Sequence, residues 1–145
     1  MQKILVTGGS GFIGTNYLKS IEGKFKEIRS NYFQNDTFLK VNGVDYIKTD
    51  LENISECKSL CENIDVVVMC AANSSGAAIM EKTPLVHLTP NIRMNLNMLE
   101  AAYECGVKKF VFISSNTVYP HVDFAVKEED SQYSFFEKYH VVGWM

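Results

Sequence analysis

The apolar run DVVVMCAA, from Asp65 to Ala72, restricts the fold more than any other stretch of the chain. Nearly every position in it is apolar, as expected of a strand that is covered on both faces. Other short apolar runs alternate with amphipathic stretches along the chain. This alternation predicts βαβ units, and therefore an α/β fold with a doubly wound parallel sheet and helices on both faces.

The predicted elements follow that alternation within one domain's length of 145 residues. Strands are predicted at Lys3–Thr7, Lys26–Ser30, Asp45–Lys48, Asp65–Cys70 and Lys109–Ser114. Helices are predicted at Phe12–Ile21, Ile54–Glu62 and Asn91–Cys105. Gly106 is well placed to end the last helix.

Composition narrows the functional classes. A hydrophobic content of 46% and a charged content of 21% are ordinary for globular proteins, and a net charge of −3 with scattered lysines argues against a nucleic-acid partner. No stretch approaches the ~20 apolar residues of a membrane span, and the first apolar run is too short for a signal peptide. The four cysteines form no CxxC pair, so reduced thiols are expected in a cytoplasmic protein without a metal site.

A glycine-rich segment, TGGSGFIG, follows the first predicted strand and opens the first predicted helix. Its glycines satisfy both GxGxxG and GxxGxxG spacing. The first glycine permits a tight turn, the second lets a pyrophosphate approach the backbone, and the third lets the helix pack closely on the strand. The segment predicts a dinucleotide site formed by Gly8, Gly9, Ser10, Gly11, Phe12, Ile13 and Gly14.

The end of the second predicted strand bears on the choice of cofactor. An acidic residue about 20 positions past the glycines would bind the ribose hydroxyls of NAD, and none stands clearly there. Arg29 is a candidate for the 2′-phosphate of NADP, or it is simply an arginine on a strand edge. NAD is the expected cofactor, with NADP not excluded.

Five motifs occur in a fixed order: TGGSGFIG, TDL at 49–51, CAAN at 70–73, NIRMNLNMLEAA at 91–102 and FVFISSNTVYP at 110–120. Their series resembles the extended short-chain dehydrogenase/reductase family, which includes nucleotide-sugar epimerases, dehydratases and reductases. The resemblance implies a Rossmann-type domain over residues 1–145. It also implies that the chain ends before the sugar-binding subdomain of that family.

The resemblance also implies roles for individual residues. Asp50 and Leu51 would hold the adenine, and Asn95 would brace the sheet near the active site; as alternatives, Asp50 caps the next helix and Asn95 is a solvated helix residue. The remaining expected cofactor contacts are Cys70, Ala71, Ala72, Asn73 and Ser114. The loop from Asn73 to Asn91 follows the fourth predicted strand, on the side of the sheet where such folds bind ligands, and its small residues leave room for a sugar. The expected substrate contacts are Asn73, Ser74, Ser75, Gly76 and Ala77 in this loop, and Asn116.

Ser115 matches the family's catalytic serine or threonine, and Thr117 matches a position that assists it. A hydroxyl there can form a hydrogen bond to the sugar oxygen, which loses its proton as hydride moves from the sugar to the nicotinamide. The alternative for Ser115 is a structural serine at a strand end.

The family's tyrosine, followed four residues later by lysine, has no counterpart in the chain. Tyr133 is followed by Glu137 and Tyr139 by Gly143, and the ending VGWM matches the segment before that lysine, which puts Val142 at the tyrosine's place. An atypical enzyme is therefore expected. The candidates to take the proton are a bound water, Ser115, Tyr133, Tyr139, His121 and His140. The alternative for each histidine is a surface residue without a role in catalysis.

The leading interpretation is the cofactor-binding part of a nucleotide-sugar dehydrogenase or epimerase that reversibly oxidises a sugar hydroxyl. The expected substrate is a GDP- or UDP-sugar, and the full-length protein is expected to be a homodimer. The chain's ending resembles that of family members including GDP-heptose dehydrogenases of bacterial capsule synthesis. The alternative is a dinucleotide-binding sensor or regulatory module without catalysis.

Overall fold

Five parallel strands form the sheet of the computed structural model, which describes residues 2–35, 37–74, 79 and 82–131. The strands are β1 (Lys3–Val6), β2 (Glu27–Tyr32), β3 (Val44–Lys48), β4 (Val66–Met69) and β5 (Lys109–Phe112). They lie in the order β3-β2-β1-β4-β5, with every neighbouring pair parallel. The order reverses between β1 and β4, and such a switch point is where open α/β sheets bind ligands. The predicted Rossmann-type fold is confirmed, and strand ends differ from prediction by only one or two residues.

Three helices are described: α1 (Phe12–Ser20), α2 (Ile54–Cys61) and α3 (Leu85–Glu104). The first two begin where the sequence predicts. Asn53 starts α2, because its side-chain oxygen accepts the amides of Ser55 and Glu56. None of the described helices is long and apolar enough to cross a membrane.

The predicted start of α3 at Asn91 is wrong, because the helix already begins at Leu85 and contains Pro90. The carbonyl of Pro84 accepts the amides of His87 and Leu88 and so starts the first turn. Pro90 lacks an amide hydrogen, and the helix continues through it without the bond that this hydrogen would make.

Gly106 ends α3, as predicted. Its φ of +70° lies in the left-handed region, and the amide of Val107 donates to the carbonyl of Ala102 at 2.9 Å. This bond back across the last turn is the usual way in which a glycine closes a helix.

The chain divides into two compact units, with boundaries after β4, inside α3 and after β5. The first unit consists of Met1–Ala72 and Arg93–Ile113, and the second consists of Asn73–Ile92 and Ser114–Met145. The sheet, α1 and α2 belong to the first unit.

The core of the first unit has two layers, one on each face of the sheet. Alternate residues of β1 and β4 point to opposite faces: Leu5 and Val67 belong to one layer, and Ile4 and Val66 belong to the other. Residues of α2 and α3 complete the first layer, and Leu18 of α1 helps to complete the second. This double covering explains why the β4 sequence is apolar at every position.

Candidate functional site

The glycine loop of the first unit, residues 8–14, leads from the carboxyl end of β1 into α1. Gly8 has a φ of +68°, and a Cβ placed there would lie 2.8 Å from the Cα of Ala71. The backbone of the loop therefore lies directly against the backbone that follows β4. Both the left-handed conformation and this close approach require glycine at position 8.

Gly9 and Gly14 are confined by packing inside the same loop. A Cβ at Gly9 would overlap the Ser30 hydroxyl, and a Cβ at Gly14 would overlap the carbonyl oxygen of Gly8. The hydroxyl of Thr15 donates to the Gly9 carbonyl at 2.8 Å and ties the loop to α1. The third glycine thus performs the packing role that the sequence predicts for it.

Gly11 is the residue before α1, and it is exposed. A Cβ there would meet only the Gly8 carbonyl oxygen, at 3.2 Å. No side chain caps the start of α1, its first turn contains no acidic residue, and Phe12 is 86% exposed. The first amides of a helix have no partner within it and attract anions, so this cradle fits a pyrophosphate.

Thr7 joins the glycine loop to the segment that follows β4, a role that sequence reasoning missed. It is fully buried, and its hydroxyl oxygen accepts the amides of Cys70 and Ala71, both at 3.1 Å. These bonds hold Ala71 against Gly8 at the switch point. Cys70 and Ala71 are half-buried and Ala72 is exposed, so this predicted edge of the cofactor site lies beside the glycine loop. The position of Thr7, directly before the glycines, is the signal that would have identified it.

Asn31, near the carboxyl end of β2, is a second residue that sequence reasoning missed. Only 3% of it is exposed. Its Oδ1 accepts the Gly8 amide at 2.9 Å, its Nδ2 donates to the Thr49 carbonyl at 3.3 Å, and its own carbonyl accepts the Gly9 amide at 2.9 Å. One residue therefore fixes the glycine loop relative to β2 and the end of β3.

Arg29 is engaged in bonds within the first unit. Its guanidinium donates to the carbonyls of Leu60 and Glu62 at the end of α2, at 2.9 and 3.1 Å, and pairs with Glu27 at 3.0 Å. Contact with a 2′-phosphate would require the guanidinium to leave these partners. Of the two interpretations of Arg29, the structure favours the arginine with a structural role.

Asp50 and Leu51 follow β3 and have different surroundings. The Asp50 carboxylate accepts the amide of Glu52 at 2.9 Å, and the residue is half-buried. Asp50 is not the residue that caps α2, because Asn53 does so. The side chain of Leu51 lies in the core, 3% exposed, so a contact between that side chain and adenine would require the core to open.

Two asparagines of α3 belong to the first unit. Asn95, the predicted brace, is half-buried. Asn97 donates from Nδ2 to the carbonyl of Leu51 at 3.0 Å and links α3 to the segment after β3.

Ser115 and Thr117 lie together in the second unit. The Ser115 oxygen accepts the amide and the hydroxyl of Thr117, at 3.2 and 3.0 Å, and caps the short 3₁₀ turn Asn116–Val118. A serine oxygen that accepts two bonds still has its own hydrogen to donate. The hydroxyl can therefore serve both as a cap and as a donor to a ligand. Ser114 and Asn116, two predicted contacts, are exposed on either side of it.

The second unit also holds the start of the predicted substrate loop. The Oδ1 of Asn91 accepts the Asn73 amide at 2.8 Å, and its Nδ2 donates to the Asn73 carbonyl at 2.9 Å. Asn91 is 5% exposed and His87, beside it, is 1% exposed. Asn73 and Ser74 are exposed, whereas the predicted contacts Ser75, Gly76 and Ala77 lie outside the described residues, as do Tyr133, Tyr139, His140 and Val142.

The remaining groups that could bind a metal or act as nucleophiles are the acidic, histidine and cysteine side chains. Across residues 2–35, 37–74, 79 and 82–131, no cluster of three His, Cys, Asp or Glu side chains is placed to hold a metal ion. The four cysteines are free. Burial raises the pKa of both the Cys57 and Cys61 thiols to about 12, so neither thiol ionises to the nucleophilic thiolate at neutral pH.

The chain has curated relatives that include two named as nucleotide-sugar epimerases. It is 28% identical over 138 residues to GDP-mannose 3,5-epimerase of Arabidopsis thaliana, covering 89% of the chain and 36% of the relative. It is 32% identical over 115 residues to UDP-glucose 4-epimerase of Vibrio cholerae, covering 79% of the chain and 35% of the relative. The chain thus spans little more than a third of the length of these two relatives.

Solved structures share the fold. A UDP-glucose 4-epimerase from Stenotrophomonas maltophila, solved with bound NAD and formylated UDP-arabinopyranose, superimposes with a TM-score of 0.83 at 24% identity, covering 97% of this chain and 45% of that one. The family model described as "NAD dependent epimerase/dehydratase family" matches residues 4–141. The match confirms the predicted family and, at the level of the family, the predicted cofactor NAD. The chain belongs to the NAD dependent epimerase/dehydratase family.

Proposed function

We propose that the chain is the cofactor-binding part of an enzyme that reversibly oxidises a hydroxyl group of a nucleotide sugar by hydride transfer to NAD. The glycine loop carries the proposal. Gly8, Gly9 and Gly14 have no room for a side chain, whereas Gly11 is open at the start of a helix without a side-chain cap. That combination shapes the backbone for a ligand that approaches Gly11, as a pyrophosphate would.

Each group of residues has a defined task in this proposal. The amides at the start of α1 bind the pyrophosphate, and Thr7 and Asn31 keep the loop in the binding conformation. Ser115 donates a hydrogen bond to the sugar oxygen as its proton leaves, and Thr117 orients the Ser115 oxygen through two bonds. When bound, the nicotinamide ring accepts and returns the hydride.

Direct binding tests the first part of the proposal. Isothermal titration should show NAD binding to the protein, and Gly11→Ala should weaken it at least about tenfold, because a methyl group there occupies the approach of the pyrophosphate. Gly106→Ala is the matched control: it places a side chain at φ +70° with open space around it, far along the chain from the loop. The control is expected to lower the melting temperature and keep NAD binding. Equal NAD affinity in the protein and in Gly11→Ala would refute this assignment of the loop.

Turnover tests the second part. A panel of GDP-, UDP- and dTDP-sugars is incubated with NAD and the full-length protein, and NADH formation and sugar rearrangement are followed. Ser115→Ala should reduce turnover about 10²- to 10⁴-fold and leave the dissociation constant of NAD unchanged. NAD binding without turnover of any sugar would instead favour the regulatory module.

The names of the relatives support a nucleotide-sugar substrate, since they include GDP-mannose 3,5-epimerase and UDP-glucose 4-epimerase. The same panel tests the GDP-heptose dehydrogenase prediction, for which GDP-heptose should be the preferred substrate.

The homodimer of the full-length protein is also a proposal. In the first unit, α3 exposes Leu96, Leu99 and Tyr103, at 60%, 50% and 88%. Their spacing of three and four residues forms one apolar row, as found where helices pair. Sedimentation of the full-length protein should give a dimer, and a monomer at micromolar concentration would refute this proposal. The cytoplasmic location stays a prediction, which fractionation of the source cells would check.

A further inference from the structure

Asn31 occupies the position at which dinucleotide-binding folds carry an acidic residue. That acid lies about 20 residues past the glycines, at the end of the second strand, and bonds the ribose 2′-hydroxyl. Asn31 lies 20 positions after Gly11 and is the residue before the last of β2, beside β1. The sequence from Ile28 to Asn35 contains no acid. An uncharged amide therefore stands where a carboxylate is usual.

The structure gives a reason for the amide. Nδ2 of Asn31 donates to the Thr49 carbonyl while Oδ1 accepts the Gly8 amide, and the residue is almost completely buried. An aspartate in this orientation would keep the bond to Gly8 but would place a second oxygen against the Thr49 carbonyl. The amide is thus the group that satisfies both neighbours at once.

This substitution has a consequence for the ligand. A carboxylate next to the ribose favours a 2′-hydroxyl, which donates to it, and repels a 2′-phosphate, which carries like charge. The Asn31 amide does neither strongly. Arg29, the other residue considered for this role, has its guanidinium bonded to the end of α2 and to Glu27.

We propose that Asn31 sets the cofactor selectivity of this chain, so that NAD and NADP bind with affinities within about tenfold of each other. The inference rests on the proposed function, because it requires the glycine loop to bind a dinucleotide. It adds the residue that discriminates between the two forms of that dinucleotide.

The test is the ratio of the dissociation constants of NAD and NADP, measured by isothermal titration for the protein and three variants. Asn31→Asp should weaken NADP relative to NAD by about 10- to 100-fold, since it places a negative charge at the position from which dinucleotide-binding folds contact the ribose 2′-hydroxyl. Asn31→Ala removes both side-chain bonds without adding charge, so it should weaken both cofactors and keep their ratio within about threefold. Arg29→Met should also leave the ratio within about threefold.

The ratio separates selectivity from folding, because a loosened loop weakens both cofactors together. Three results would overturn the inference: a preference of the unchanged protein for either cofactor above about tenfold, an unchanged ratio in Asn31→Asp, or a shifted ratio in Arg29→Met. If the unchanged protein binds neither cofactor, the proposed function fails and the inference fails with it.

Discussion

Gly14→Ala is expected to damage the fold itself, and its cost follows from the packing of the glycine loop. The new methyl group would overlap the Gly8 carbonyl oxygen and would lie 2.9 Å from the Gly8 carbonyl carbon and 3.0 Å from the Gly9 Cα. All three are backbone atoms, so no side chain can rotate away. Either the loop or the start of α1 has to move.

Overpacking of this kind costs about 1–3 kcal/mol, and contacts to backbone place Gly14→Ala near the upper end. Replacing glycine by alanine inside a helix returns about 1 kcal/mol. The net loss is therefore about 2 kcal/mol, which lowers the melting temperature of a domain this size by about 4–8 °C. Thermal unfolding followed by circular dichroism measures it.

Gly11→Ala is the matched comparison within the same loop. Its methyl group would meet only one atom, at 3.2 Å, and its φ of −86° suits any residue. We expect it to melt within about 2 °C of the unchanged protein, since surface substitutions without strain change stability by at most about 0.5 kcal/mol. The packing argument is refuted if Gly14→Ala has the same melting temperature as the unchanged protein, or if the melting temperatures of the two variants fall by the same amount.

Three further outcomes follow from the first unit. The hydrogen bond from Lys108, together with one from the Lys3 amide, lowers the pKa of the Asp65 carboxyl in the folded protein below its usual 3.8. The ionised Asp65 therefore stabilises the fold above pH 3.8, and this stabilisation is lost as the pH falls through the folded-state pKa. In urea unfolding from pH 7 to 3, the deficit of Asp65→Asn should therefore shrink with acid, and a deficit independent of pH would contradict this. Arg29→Met leaves two carbonyls unpaired and should lower the free energy of unfolding, measured in urea, by about 1–2 kcal/mol. Removal of the exposed Arg93 is the control and should lower it by at most about 0.5 kcal/mol; equal losses would contradict the structural role of Arg29. Iodoacetamide at pH 8 should label Cys57 and Cys61 only when the protein unfolds, because their raised pKa suppresses the thiolate in the folded protein. Labelling is measured by mass spectrometry, and rapid labelling of the native protein would contradict this expectation.

The layers of the fold could be predicted from the sequence because their signals are local. The β4 run is apolar at each of its four positions, and all four are buried. The glycine spacing likewise indicated which glycine would be confined and which would be open. The start of α3 could not be predicted, because prolines usually mark the boundaries of helices. Here the carbonyl of Pro84 accepts the first amides of the helix, and the helix continues through Pro90.

The polar residues that hold the glycine loop could not be predicted, because their partners are backbone groups far away in sequence. Asn31 bonds an amide 23 positions earlier, and Thr7 bonds one 64 positions later. A hydrophobic pattern survives the exchange of one apolar residue for another, but a bond from a side chain to a distant amide depends on a single atom. The same dependence favours the structural interpretation of Arg29, whose partners are the carbonyls of Leu60 and Glu62 at the end of α2. It also explains why Asn31→Asp, which exchanges one NH₂ group for an oxygen, is expected to change cofactor selectivity while the layers of the fold remain as they are.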